Sequence, residues 1–437
     1  MSTATVTADA EEAQGVLPLA LLALLVGAVT GFVAATFRLA LGYAEQLRVQ
    51  LVHWAHAHGA IGFVLLVASC AGATLLAAAL VRRCAPLASG SGIPYVEAVL
   101  RAEIPPASYA LLPVKYVGGL LAIGAGLALG REGPSVQMGA AIAQLCGRIF
   151  RRRWLDCRAL LAAGAGAGLA TAFNAPIAGA IFVLEELVQR FERRTAIAAL
   201  AASATAIAVA RQFLGDSPDF HLSALPYLDA EGRLLSFVLG ALAGLLAIAY
   251  NATILATSAA AARFSVLAPE LRAALVGGVV GILAWLVPDL VGGGDAITER
   301  VLAGNAALAL LPLAFLLRFG LGAASYAAGT PGGLFAPLLV LGAQAGLMFG
   351  VACHWAIPGF GAPSEAFAVI GMAAFFAGVV RAPLTGIALV LEMTGNVTML
   401  LPALGACASA MLIPTLARQA PIYESLRQRL VREASGV

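Results

Sequence analysis

Four short segments of the first half of the chain recur, in the same order and at nearly constant spacing, in the second half. "GSGIPYVEAVL" (90–100) aligns with "GGGDAITERVL" (292–302) at an offset of 202, and "LPVKYVGG" (112–119) with "FLLRFGLG" (315–322) at 203. "GREGPSVQMGA" (130–140) aligns with "GLFAPLLVLGA" (333–343), again at 203, which sets Glu132 opposite Phe335. "NAPIAGAIFVLEE" (174–186) aligns with "RAPLTGIALVLEM" (381–393) at 207. One such match could be chance, but four in order make the chain two homologous halves. The division is a tail over 1–15, a first repeat over 16–215, a polar linker over 216–233 ("GDSPDFHLSALPYLDAEGR" and its surroundings), a second repeat over 234–417 and a C-terminal segment over 418–437.

The solvent for these halves follows from their apolar runs. Val16–Leu41, Ile61–Val81, Leu234–Ile254, Ala273–Val287 and Ala306–Leu316 are almost uncharged, and the whole chain is 61% hydrophobic and 11% charged, whereas soluble domains carry roughly 25% charge. A polytopic helical membrane protein is expected. Other apolar segments are too short for a hydrocarbon core of about 30 Å and are cut by Gly or Pro, so broken and re-entrant helices are expected among them. The first residues carry Asp9, Glu11 and Glu12 where a signal peptide needs basic ones, so the tail is expected in the cytoplasm.

Charge then orients the halves. Net charge is +3 and Lys115 is the only lysine; the arginines gather at segment ends, which gives no support to nucleic-acid binding. Clusters at Arg148, Arg151, Arg152, Arg153 and Arg158, at Arg190, Arg193 and Arg194, and at Arg418, Arg427, Arg429 and Arg432 mark the cytoplasmic face. The equivalents of the first two in the second half, "GVACHWAIPGFGAPSEA" and "GNVTMLL", have no Lys or Arg. Opposite charge bias at equivalent ends is the mark of inverted repeats, which place a binding site at mid-membrane where helices break.

GSGIP, GREGP and GGLFAP each set glycines before an expected helix start and a proline in its first turn. Glycine admits close approach, proline is tolerated where the N–H is unpaired, and the free N–H groups there favour an anion. Any one of them could be helix punctuation; together they favour an anion site. Ser91 adds a hydroxyl beside one start, with helix capping as its alternative.

Two acids stand at different depths. Glu132 precedes Arg148 by 16 residues, about 24 Å of helix, which places it toward the outer side; a salt bridge with Arg131 is its structural alternative. Glu186 precedes Arg190 by four residues and belongs near the cytoplasmic face, where a solvated carboxylate paired with arginine is the alternative. Ionisable groups inside a membrane are functional candidates, and two stations suggest a proton route. Glu97 and Lys115 are expected to form a buried structural pair, because Glu299 and Arg318 occupy the equivalent positions. Glu185 and its counterpart Glu392 are expected to be structural acids. His53, His56 and His58 are expected in a solvated loop, the six cysteines show no metal-ligand spacing and are expected to pack as apolar residues, and no metal or cofactor is expected. "SGSG" at 89–92 would need a positioned base to act as a protease, and His221 and His354 are expected in the linker and a loop.

These residues resemble the CLC chloride channel and transporter family. GSGIP, GREGP, GGLFAP and the "PIY" ending at Tyr423 match its anion-pathway signatures in order, and "AFNAPIAGAIFVLEE" and "RAPLTGIALVLEMT" resemble its flanking segments. The resemblance implies the CLC fold, all-α with two inverted-topology repeats, in a homodimer with one anion pathway per subunit in the lipid bilayer. It implies that Ser91 and Tyr423 coordinate the central anion with their hydroxyls, that Leu334 and Phe335 offer backbone N–H groups, and that Gly90, Gly92, Arg131 and Gly133 complete the anion-binding set. Glu132 would be the gating glutamate and Glu186 the internal proton glutamate that exchangers carry and typical channels lack. Proton/chloride antiport is therefore expected, with a passive chloride channel on the same pore as the alternative and a membrane enzyme or structural protein as a distant third. Serine in GSGIP implies chloride over nitrate or fluoride. No nucleotide-binding CBS pair is expected after Tyr423, and the resemblance implies a bacterial inner membrane with both termini cytoplasmic.

Overall fold

The computed structural model describes residues 3–220, 222–263 and 267–435, without the side chains of 3–14. His221 and the side chains of Asp9, Glu11 and Glu12 thus lie outside the described residues. The described residues form seventeen α-helices: α1 (Thr3–Ala57), α2 (Gly59–Cys84), α3 (Ile93–Leu100), α4 (Leu111–Gly124), α5 (Glu132–Ile149), α6 (Trp154–Phe173), α7 (Pro176–Phe182), α8 (Arg193–Leu214), α9 (Ala230–Arg263), α10 (Pro269–Leu286), α11 (Asp295–Leu302), α12 (Leu311–Ala327), α13 (Phe335–Ala356), α14 (Ser364–Val380), α15 (Pro383–Thr394), α16 (Leu400–Leu416) and α17 (Ile422–Ser435). Eight of them are long and apolar enough to cross a membrane. The others include the short and broken helices expected from the Gly and Pro punctuation, and α7 continues into a π-helical turn, Val183–Leu187.

The repeat is visible element by element. Helices α1 to α8 correspond in order to α9 to α16, and α17 has no counterpart. The 8-residue α3 matches the 8-residue α11, each opened by a left-handed glycine, Gly92 at φ +87° and Gly294 at φ +105°. Helices α6 and α14 both end on a left-handed residue, Asn174 and Arg381.

Small residues pack the helices. A side chain on Gly27 or Gly31 of α1 would sit 2.2 or 2.3 Å from the carbonyls of Ala202 and Ala206 on α8. In the second half Gly240 and Gly244 of α9 lie in the same way on Ala406 and Ala410 of α16, at 2.1 and 2.8 Å. Glycines four apart against alanines four apart let two backbones touch, which is how helices associate where no hydrophobic effect drives them together. Leucines such as Leu234, Leu245 and Leu412 point outward.

Two charged positions conserved in the repeat turn out to be cations that hold loops. Lys115 does not pair with Glu97: its Nζ donates to Ala88 O at 3.0 Å and Gly90 O at 2.7 Å. Arg318 likewise donates to Leu290 O, Gly292 O and Gly293 O at 3.2, 2.7 and 2.9 Å, while Glu299 is exposed. Carbonyls of a loop that breaks a helix in mid-membrane have no helical donor, and in both halves a buried cation satisfies them. Glu185 and Glu392 are structural in a reciprocal way. Glu185 accepts from the N–H groups of Leu384 and Thr385 at the start of α15, and Glu392 from those of Ile177 and Ala178 at the start of α7. Each acid caps the N-terminus of the other's helix.

Among the described histidines, His58 sits exposed in the connection between α1 and α2 as expected, and the others lie in helices. His53 and His56 are in the last turns of α1, with His56 against Trp285 O and His58 against Trp54 O, and His354 is in the last turn of α13. Cys70, Cys146, Cys353 and Cys407 are buried, Cys157 is half-buried and Cys84 is exposed.

Candidate functional site

Backbone pairing between loops gathers the three Gly-Pro motifs. Gly90 N donates to Thr330 O and Gly332 N to Gly90 O, both at 3.1 Å, while Gly130 and Gly333 exchange both bonds at 2.8 and 2.7 Å. The loop of the second half thus lies between the two loops of the first. Their helices then start side by side: α3 after Gly92, α5 at Glu132 and α13 at Phe335, with Pro94, Pro134 and Pro337 in the first turns. The opening N–H groups of each helix have no intrahelical acceptor, and three such starts give a positive potential.

Glycine is required where these starts meet. A side chain on Gly133 would lie 2.3 Å from Ser91 O and 2.6 Å from Ser91 Oγ. One on Gly130 would lie 1.9 Å from Glu132 Oε2, and one on Gly333 3.2 Å from that atom. The Glu132 carboxylate therefore rests on the glycine backbones of both halves, in reach of the N–H groups of Glu132 itself and Ala336. It occupies the kind of place an anion would take.

Three buried oxygens around this point lack a protein hydrogen-bond partner: Ser91 Oγ, Tyr423 Oη and Glu132 Oε2. All three residues are at most 1% exposed. An unsatisfied buried hydroxyl costs about 1–3 kcal/mol, so a pair of them next to one another fits an acceptor without donors of its own, which a halide is. Tyr423 is brought there by α17, packed on α3, and its ring lies 5.9 Å from that of Phe335 between centroids. Phe335 also meets Phe173, Phe182 and Phe376 at 6.3, 5.8 and 4.6 Å. Where the first half has an acid, the second half has the ring that seals the site.

Arg131 departs from its expected place in the anion set. Its Nη1 is 2.7 Å from Asp295, its Nη2 3.3 Å from Asp219, and its Nε donates to Ala172 O at 2.9 Å. Asp219, in the linker, also binds Arg38 at 2.6 Å. The guanidinium is committed to these acceptors and turned toward the linker face, because α5 begins with Glu132 and the two adjacent side chains project differently. The structure likewise has no Arg131–Glu132 bridge. A cavity of about 370 Å³ with Arg38, Arg131, Glu132 and Asp295 in its wall opens on that face.

On the opposite, arginine-rich face a cavity of about 430 Å³ reaches Gly90, Ser91 and Gly92 past Arg82, Arg272 and Arg429. Tyr326 lines it with its hydroxyl against Gly90 and the Ser91 peptide; sequence reasoning missed it because the second-half landmark ends just before it. Glu186 lies on the same side, buried in the π turn rather than solvated. Its carboxyl is within hydrogen-bonding reach of Glu97. Glu97 is thus a neighbour of Glu186 and not of Lys115.

Comparison with known proteins bears on this arrangement. Residues 72–415 match the family described as voltage gated chloride channel. The H(+)/Cl(-) exchange transporter ClcA of Salmonella arizonae is 35% identical over 421 residues, covering 94% of this chain and 89% of its own. ClcA of Salmonella newport gives the same figures. A slow cyanobacterial Cl-/H+ antiporter solved by X-ray crystallography superposes with a TM-score of 0.91 at 32% identity, over 94% of this chain and 98% of that one. A CLC-type fluoride/proton antiporter, at 23% identity and a TM-score of 0.76 over 91% of this chain and 95% of its own, shares the fold.

Proposed function

This chain belongs to the voltage gated chloride channel, or CLC, family, and from that premise we propose that it is a secondary transporter exchanging chloride for protons, with Glu132 and Glu186 as its two proton stations. The observation that carries the reading is the position of Glu132: a carboxylate over Gly130 and Gly333, beside the orphaned hydroxyls of Ser91 and Tyr423.

The chemistry follows from competition. Ionised, Glu132 is itself the anion at the meeting point of the helix starts and repels chloride from it. Protonated, it loses its hold on the N–H groups, moves aside, and chloride takes the hydroxyls of Ser91 and Tyr423 and the N–H groups of Leu334 and Phe335. Gly90, Gly92 and Gly133 keep the backbones close enough for this, and Arg131 acts at a distance through its charge. Protons arrive on the other side at Glu186, which lies beside Glu97. Tyr423 lies within electrostatic reach of both stations, and water between them would carry the proton.

The arginine-rich face is the cytoplasmic one in this reading, with both termini there, in a bacterial inner membrane. The units are the repeats 16–215 and 234–417, the linker 216–233 on the outer face, and the segment 418–437 that carries Tyr423. Two copies form a homodimer with one pathway each. The test is proton movement into sealed proteoliposomes driven by a chloride gradient, with the voltage set by an ionophore. Uphill proton movement is expected; chloride flux without it would make the protein a passive chloride channel.

A further inference from the structure

The proposed function gives no role to the buried cation Arg427. Arg427 lies one turn beyond Tyr423 on α17, so both side chains project from the same face. Its guanidinium bonds Glu424 at 2.6 Å, grips both carboxylate oxygens of Glu103, and stands 3.8 Å from Glu97 Oε2. Glu97 faces Glu186 and keeps its Oε1 buried without a partner. Arg101 closes the group, donating to Gln189 at 2.9 Å and lying 3.9 Å from Glu424. The charged groups around the acid pair are thus Arg101 and Glu103 beyond α3, Glu185 beside the pair but turned to α15, and Glu424 and Arg427 from α17.

We propose that Arg427 is a positioning residue that couples the two halves of the exchange: it supplies the positive charge against which the Glu97–Glu186 pair gives up its proton, and it fixes the turn of α17 that aims the Tyr423 hydroxyl at the anion. The first role follows from charge. Releasing a proton from the pair adds negative charge in a poorly solvated place, and the Arg427 guanidinium, 3.8 Å from Glu97 Oε2, is with Arg101 one of the cations that offset it. The second follows from the helix, because Glu103 and Glu97 anchor α17 to α3 one turn from Tyr423. The inference rests on the reading of Glu186 as the inner proton station.

The variant is Arg427→Gln, with Arg427→Lys and Arg427→Gln/Glu97→Gln beside it. Two quantities are read: proton movement in proteoliposomes as a function of the pH on the Glu186 side, and chloride affinity by titration calorimetry of the detergent-solubilised protein. Arg427→Gln is expected to shift the pH dependence of proton movement about one unit to the alkaline side, or about tenfold at fixed pH, and to weaken chloride binding. Arg427→Lys should restore part of the pH profile. An unshifted profile in Arg427→Gln overturns the inference, and so does an equal loss of proton and chloride flux at every pH, which is what a plain helix tether would give. If the single variant does not fold, the double variant removes the stranded acid together with its cation, and wild-type chloride affinity in it overturns the inference. If the wild type moves no protons, the antiport reading fails on its own account. Chloride affinity then decides about Arg427, and an unchanged value in Arg427→Gln ends the proposal.

Discussion

The two halves share a backbone and divide the chemistry. At the third landmark the first half has Glu132 and the second has Phe335, and at the fourth Glu186 faces Met393. Where the halves agree, as in Lys115 and Arg318 or Glu185 and Glu392, the residues serve architecture: they satisfy the carbonyls and N–H groups that a broken helix exposes. At these two positions an acid in one half stands opposite an apolar side chain in the other. In the proposed function anion recognition draws on helix starts from both halves, because the N–H groups of a helix do not depend on its side chains. Proton handling depends on side chains, and in the proposed function it resides in the first half and in α17, which lies outside the repeat.

The largest expected effect breaks this division at its centre. Glu132→Gln removes the carboxyl group at the meeting of the helix starts, and chloride-driven proton movement should fall by about 10²-fold or more while chloride still passes. Retained pH-driven chloride uptake in sealed vesicles would remove Glu132 from its role. Glu186→Gln should abolish proton movement similarly, with chloride flux in the same assay kept within about threefold, since a carboxamide fills the same space and holds no transferable proton. Unchanged coupling would return Glu186 to structure.

The architectural positions should behave alike in both halves. Lys115→Met and Arg318→Met each strand loop carbonyls and should each cost about 2–3 kcal/mol, read as a lower midpoint of thermal unfolding in detergent. A large loss for one and none for the other would show that the repeat is not balanced. The smallest effect is expected for Glu185→Gln and Glu392→Gln, about 1 kcal/mol each as helix caps, with proton coupling unaltered. A coupling defect in Glu185→Gln alone would move that residue from capping to transport.

Much of this arrangement was legible because it is local. Glycines and a proline at a helix start, a four-residue step from acid to arginine, and a 203-residue offset are properties of the chain itself. The glycine and alanine pairs between α1 and α8 were equally local, but small residues in an alanine-rich chain give no contrast until their partners are known. What the linker does was not legible either: its Asp219 holds Arg38 and Arg131, and Phe220 N donates to Met393 O across the halves.

The sequence by itself determined the two halves, their inverted topology and the three helix breaks, since hydrophobic runs and charge bias act along the chain. Only the tertiary structure decided who pairs with whom. It gave Lys115 to carbonyls instead of Glu97, turned Arg131 away to Asp219 and Asp295, set Glu97 against Glu186, and brought Tyr423 from the end of the chain to Ser91. The reason is that a charge or a hydroxyl chooses its partner by distance through space, and a distance of 3 Å between residues hundreds of positions apart exists only once the helices have packed.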